Sequence, residues 1–341
     1  MKSLVWIYTF VLFTLYSCTQ DNPLIDNSVN SWSLLTVTGE SDAKLSKIQQ
    51  PNGSYLIDDI LNNIEITSEI KQVAVYGQYL YILIPKDYKI IILDRYTFEP
   101  VNSIDFSATQ YEPSAIAFAN NSDAYIAHTN ANKVSLLDTK FFKIVRTYDV
   151  GIEPVDITYT NNLIIVSNAK SNSLSLIDTK NYTKLSDVAV QEAPRFISVA
   201  PTSGKVAIVC SGNGKDDDIT GNNSAAYFQV FDPNTKQITF TSELKTSLIT
   251  GSNIYPNGLV VTNKDLAFVS TQYGLFSINV RTPTLVNLAK KEEYRGVYYN
   301  FPKEELIVIR ANKTAFAAKQ TTGKIIYELT MPQLFSSILA Y

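Results

Sequence analysis

Short apolar runs broken by polar turns recur along almost the whole chain. Two stretches show the unit. Ala124 onward reads AYIAHTNANKVSLLDTKFFKIVRTYDV, and Leu163 onward reads LIIVSNAKSNSLSLIDTKNYTKLSDVAV. Each has an apolar strand, a polar turn, an alternating strand ending in Leu-Asp or Ile-Asp, a turn with Thr-Lys, and a further strand. A proline-led strand precedes each, PSAIAFANN from Pro113 and PVDITYTNN from Pro154. Runs of about five residues bounded by turn formers predict strands. The repeating unit is therefore four short strands.

The Asp that ends the third strand serves as a register mark, because its carboxylate can accept backbone amides of the next turn. Its equivalents are Gln50, Asp94, Asp138, Asp178, Asp232, Asn279 and Lys319, spaced 44, 44, 40, 54, 47 and 40 residues apart. Seven four-stranded units at this period predict an all-β, seven-bladed β-propeller with antiparallel blades. The ends fit the same scheme. LLTVTG, KLSKIQQ and SYLIDDIL, within 34–61, supply three strands of a blade, and FSSILAY at 335–341 supplies its missing inner strand. Placing the last strand there closes the ring and removes open sheet edges.

SNAKSNSLSLIDTKNYT resembles the YVTN repeat, in which Tyr-Val-Thr-Asn is followed by a Gly- or Ser-rich turn and Val-Ser-Val-Ile-Asp-Thr. The resemblance covers roughly residues 70–330 and is strongest in 113–190. It implies a YncE-like propeller, including the lipoprotein branch found beside outer-membrane transporters. These repeat residues are scaffold, so they speak to fold rather than to activity.

The N-terminus departs from the strand pattern. MKSLVWIYTFVLFTLYSC has a positive Lys2, an apolar run from Leu4 to Leu15, and Leu15-Tyr16-Ser17-Cys18 at its end. The run is short for a membrane span and reads as a signal peptide. Its end resembles a bacterial lipobox, although Tyr16 replaces the usual small residue. That predicts a signal peptide over 1–17, lipidation of Cys18, a polar tether over 18–31, and one propeller over 32–341. The lipid would hold the protein at a membrane, by the usual sorting pattern the outer membrane, facing the periplasm or the cell surface.

Composition narrows the chemistry. The net charge of −3 offers no basic face for nucleic acid. One His and two Cys leave no His- or Cys-rich metal site. His128, at a strand end, is the sole histidine a Ser-His-Asp triad could use, and it reads as structural. Cys210, in the apolar run AIVC, reads as a buried thiol. No cofactor is expected, and the chain is expected to be a non-enzymatic monomer.

Three features mark a candidate ligand face. The residues following the start of each inner strand align as Lys71, Ser114, Val155, Arg195, Asn257 and Arg295. Three are cationic, so they could converge on an anion, or pair with Glu153, Glu192 or Glu293 nearby. Loop tyrosines Tyr88, Tyr111, Tyr255, Tyr273 and Tyr294 suit either ligand contact or packing between blades. The insertion Ser211 to Ala226, SGNGKDDDITGNNSAA, carries Asp216 and Asp218 on alternate residues, a weak calcium candidate lacking a closing Glu. Together with the resemblance these features point to capture of a small nutrient, of cobalamin or siderophore class, for a TonB-dependent outer-membrane transporter. The alternative is a structural or protein-interaction propeller of the envelope with no small ligand.

Overall fold

The computed structural model describes residues 64, 66, 68–213, 224–245, 254–287, 292–301 and 304–310, and the backbone of strands Ser33–Thr38, Lys44–Gln49, Leu56–Asp59, Thr314–Lys319, Ile325–Thr330 and Ser337–Ala340. Cys18, the signal peptide, the tether, Asp216 and Asp218 lie outside the described residues.

The proline-led strands and the runs after them pair as the alternation predicts. One sheet orders Gln72–Tyr76, Tyr79–Ile84, Lys89–Asp94 and Pro100–Asp105, each antiparallel to the next. The next orders Pro113–Phe118, Asp123–His128, Lys133–Asp138 and Lys143–Asp149. Further sheets begin at Pro154–Thr160, Pro194–Val199, Pro256–Val261 and Tyr294–Asn300 and repeat the order. In the remaining sheet Ser337–Ala340 pairs with Ser33–Thr38, which leads to Lys44–Gln49 and Leu56–Asp59. One outer strand differs from expectation. TKLSDVAV is split into Thr183–Lys184 and Val188–Ala189. The Asp187 carboxylate between them accepts the Ser175 hydroxyl at 2.7 Å, so the chain bows out of the ladder.

Second and third strands such as LIIVSN and SLSLID are almost wholly buried. They are covered on both faces, which is why they read as continuous apolar runs rather than strict alternation. The core accordingly lies between sheets. Ile92, Phe106, Ile116 and Ile126 share one cluster, and Phe196, Val209, Phe228, Val261 and Phe276 share another. Each fully buried Ile, Leu or Phe contributes roughly 1.5–3 kcal/mol. Aromatic pairs join neighbouring sheets: Tyr76 stacks on Phe118 at 4.3 Å, and Phe142 meets Tyr79 edge-on at 5.4 Å.

The register marks do what their chemistry suggests. Asp94 Oδ1 accepts the amides of Tyr96 and Thr97 at 2.8 and 3.0 Å. Asp138, Asp178 and Asn279 each accept two turn amides in the same way, and Asp232 accepts that of Asn234. The amides of Thr97 and Tyr96 hold the Asp94 carboxyl below the usual carboxylate range. Four residues after each Asp the backbone turns left-handed, at Phe98, Phe142, Tyr182 and Lys236. That conformation is costly outside Gly, and at Phe98 and Phe142 the ring packs against the core.

The leading strands stand side by side in chain order, from Gln72–Tyr76 to Tyr294–Asn300, and the last touches Ser337–Ala340. Most carry a bulge directly after the first residue, at Pro113/Ala115, Pro154/Asp156, Pro194/Phe196, Pro256/Gly258 and Tyr294/Gly296. Proline suits the strand start because it has no amide to donate. The bulged residue is unpaired in the ladder and re-aims its side chain.

Candidate functional site

The bulged residues are Ser114, Val155, Arg195, Asn257 and Arg295, five of the six positions aligned in the sequence. Lys71 stands at the equivalent place before Gln72, its amide bonded to Leu83 O at 2.9 Å. Although they belong to separate sheets, some of these residues lie within electrostatic reach of one another. The Lys71 ammonium feels Glu69 on its own segment, and also Arg195 and Asp156, which belong to sheets further along the chain. Burial, the largest effect, and the positive Arg195 pull the Lys71 pKa down, while Glu69 and Asp156 push it up.

The aligned polar residues divide into two groups. Ser114 and Asn257 are buried ties between sheets: Ser114 Oγ donates to Ala127 O at 3.0 Å and Pro154 O at 3.3 Å, and Asn257 Nδ2 donates to Tyr294 O at 2.8 Å. Arg295 pairs with Glu293 at 3.2 Å, and nearby Arg310 pairs with Glu292 at 2.7 Å. By contrast, among the described residues no salt bridge involves Lys71 or Arg195. Arg195 is oriented by a neutral partner, with Nε donating to Ser211 Oγ at 3.0 Å. The structure thus leaves Lys71 and Arg195 within electrostatic reach of each other and pairs Arg295 with Glu293.

The residue that sequence reasoning missed is Asp156. It is 1% exposed, on the leading strand Pro154–Thr160. Its Oδ2 accepts the amide of Ile197 on the next leading strand at 2.8 Å, and Oδ1 accepts the amide of Ile157 at 2.8 Å. Gln72 does the same two sheets earlier, with Oε1 accepting the Ile116 amide at 2.8 Å. Desolvation pushes the Asp156 carboxyl up to about 7, opposed by the two amides and by Lys71. A signal existed: the same register position holds Ala115, Phe196, Gly258 and Gly296 in sister strands, so an ionisable group there is out of place.

The tyrosines are mostly packing groups. Tyr88 and Tyr111 lie partly buried against one inter-sheet core, and Tyr273 against another. Tyr255 is partly buried, its amide bonded to Gln272 Oε1 at 2.7 Å. Tyr294 is 6% exposed and donates to Glu292 Oε2 at 2.9 Å. Burial of Tyr294 and its bond to Glu292 raise its pKa. His128 is buried among Phe106 and Tyr111, with Nε2 2.8 Å from Ser135 Oγ. Burial lowers its pKa to about 3, so it stays neutral.

The neck of the insertion lies beside Arg195. Gly212, at φ +64°, leaves room for Ser224, whose carbonyl would sit 2.3 Å from a Cβ there. Asn213 and Ser224 exchange bonds across the neck, and Ser224 Oγ reaches Glu192 at 2.6 Å. Among the described residues no group of three or more His, Cys, Asp or Glu is placed to hold a metal.

No family model matches the chain, and no curated protein sequence matches it. Solved structures do match in fold. The computationally designed Ika8 protein aligns at TM-score 0.66 and 12% identity, over 98% of this chain and 91% of its own. Hydrazine synthase of Kuenenia stuttgartiensis aligns at 0.63 and 11%, over 79% and 90%. The WD40 repeats of RRP9 align at 0.62 and 10%, over 80% and 87%. At these identities the likeness concerns fold alone. With the antiparallel four-stranded sheets, it makes the chain a β-propeller.

Proposed function

We propose that this chain is a seven-bladed YncE-like propeller, closed by Ser337–Ala340, that binds a small anionic ligand on its axis without catalysing a reaction. The observation that carries the reading is the pair Lys71 and Arg195, on separate sheets yet within electrostatic reach of each other, with no salt bridge to either among the described residues. Two cations so placed, inside a wall of leading strands, suit a carboxylate or phosphate. The lipobox-like Cys18 favours an outer-membrane anchor, and the repeat resemblance favours capture of a cobalamin- or siderophore-class nutrient for a TonB-dependent transporter. A carboxylate-bearing ferric siderophore fits the cation pair better than a cobalamin. A second reading, docking of an envelope protein, is favoured by exposed Tyr96, Phe141, Ile144, Val145 and Tyr182 on neighbouring sheets.

Thermal unfolding against a panel of ferric siderophores, cobalamins and simple dicarboxylates tests the choice. A ligand at 100 times its Kd adds about 2.7 kcal/mol to apparent stability. The expected outcome is a raised Tm with anionic members of the panel, lost in the K71A/R195A double variant. A shift that survives in that variant would move the site elsewhere.

A further inference from the structure

Asp156 has no role in the anion reading as it stands, and its position is awkward for one. A carboxylate that acts on Lys71 works against any anion that would use the same ammonium. The carboxylate is also costly in its own right, being buried and bonded to amides rather than to a cation. We infer that the axis holds one oxyanion between Lys71 and Arg195, and that binding takes up a proton from water onto Asp156. This rests on the anion-binding reading above and adds its control.

The geometry supplies each part. Lys71 and Arg195 provide two positive groups, and Ser211 holds the Arg195 Nε edge, leaving the terminal nitrogens for an oxyanion. Asp156 reaches from its own leading strand to the amide of Ile197, two residues beyond Arg195. A protonated carboxyl keeps that bond, because each oxygen retains a lone pair for its amide. The proton therefore changes the charge of the site without dismantling the tie between strands.

The other groups around Asp156 do not replace it. The flanking strands Pro113–Phe118 and Leu163–Asn168 carry no ionisable side chain. On Asp123–His128, His128 is turned to Ser135, and Asp123 accepts Tyr182 and Asn120. Glu69 acts on Lys71 from the same segment, and Arg195 is the cation on the next leading strand. The ion that acts on Asp156 itself is Lys71. The carboxyl's raised pKa, about 7, places proton uptake within reach of ordinary pH. Bound ligand charge raises it further.

The test uses sulfate and oxalate, which do not themselves titrate between pH 6 and pH 8.5. Isothermal titration of the full propeller, in two buffers of different ionisation enthalpy, measures affinity and proton uptake together. Affinity for each anion is expected to fall about 30-fold from pH 6 to pH 8.5, with close to one proton taken up per anion at the upper end. D156N is expected to bind at pH 8.5 as tightly as the wild type does at pH 6, with no uptake. Wild-type binding that is independent of pH and free of proton uptake would overturn the inference and leave anion binding standing. A D156N variant that keeps the wild-type pH dependence would also overturn it, placing the proton on Lys71. If neither anion binds at any pH, the anion reading fails and the inference with it. Proton uptake is read on the wild type, so the test does not depend on the variant folding.

Discussion

The buried carboxyl of Asp156 should leave a signature on stability even without ligand. An unfolded Asp titrates near 3.8, whereas in the fold this one titrates near 7. Between these values the folded state holds a proton that the unfolded state has lost. Stability therefore falls as pH rises through that window and levels off above it. At pH 5 the unfolded group is ionised and the folded one is not, but the free-energy gap is still small. By pH 8 both are ionised and the folded protein carries the full cost of a buried charge. Integrating the two titration curves, this one group costs about 2.6 kcal/mol more at pH 8 than at pH 5.

D156N removes the titration. Its amide oxygen can still accept one backbone N–H, while the NH₂ faces the other, so the variant carries a fixed penalty that does not vary with pH. The informative quantity is thus the change in the difference between variant and wild type, not the difference itself. Urea unfolding at pH 5, 6, 7 and 8 should show D156N gaining on the wild type by about 2–3 kcal/mol across the series. Adding K71M removes the countercharge that opposes desolvation, so the fall in stability should extend to higher pH. Parallel curves for wild type and D156N would refute the reasoning, because they would mean that Asp156 is already ionised at pH 5.

Two further outcomes are expected. Deleting residues 335–341 removes the strand paired with Leu34 to Val37; if it closes the ring, Tm should drop by on the order of 10 °C, and an unchanged Tm would open the ring. Cys210 is buried and burial raises its thiol pKa, so in protein lacking Cys18 it should resist iodoacetamide at pH 8 until urea unfolds the chain.

The boundary between what could be read in the sequence and what could not follows the range of the interactions involved. Asp94, Asp138, Asp178 and Asp232 were legible because each bonds amides two or three residues on, and such contacts repeat with the sequence. The wall positions were legible too, since a proline-led strand puts its bulge in the same place each time. The state of each wall residue was not. Lys71 and Arg295 look alike in the alignment, yet one feels the charges of Arg195 and Asp156 and the other pairs with Glu293. Tyr294 reads as a loop residue but opens the strand Tyr294–Asn300 and packs against Phe268 and Leu275 on the neighbouring sheet. Asp156 depends on an amide 41 residues further on, offered only because adjacent leading strands leave such groups facing one another. In a fold of repeated sheets, local rules set where a side chain stands. Its charge state is set by whichever residue a neighbouring sheet brings near it, and that pairing has no period in the sequence. The proposed anion site therefore rests on Lys71, Arg195 and Asp156, whose neighbours come from separate sheets.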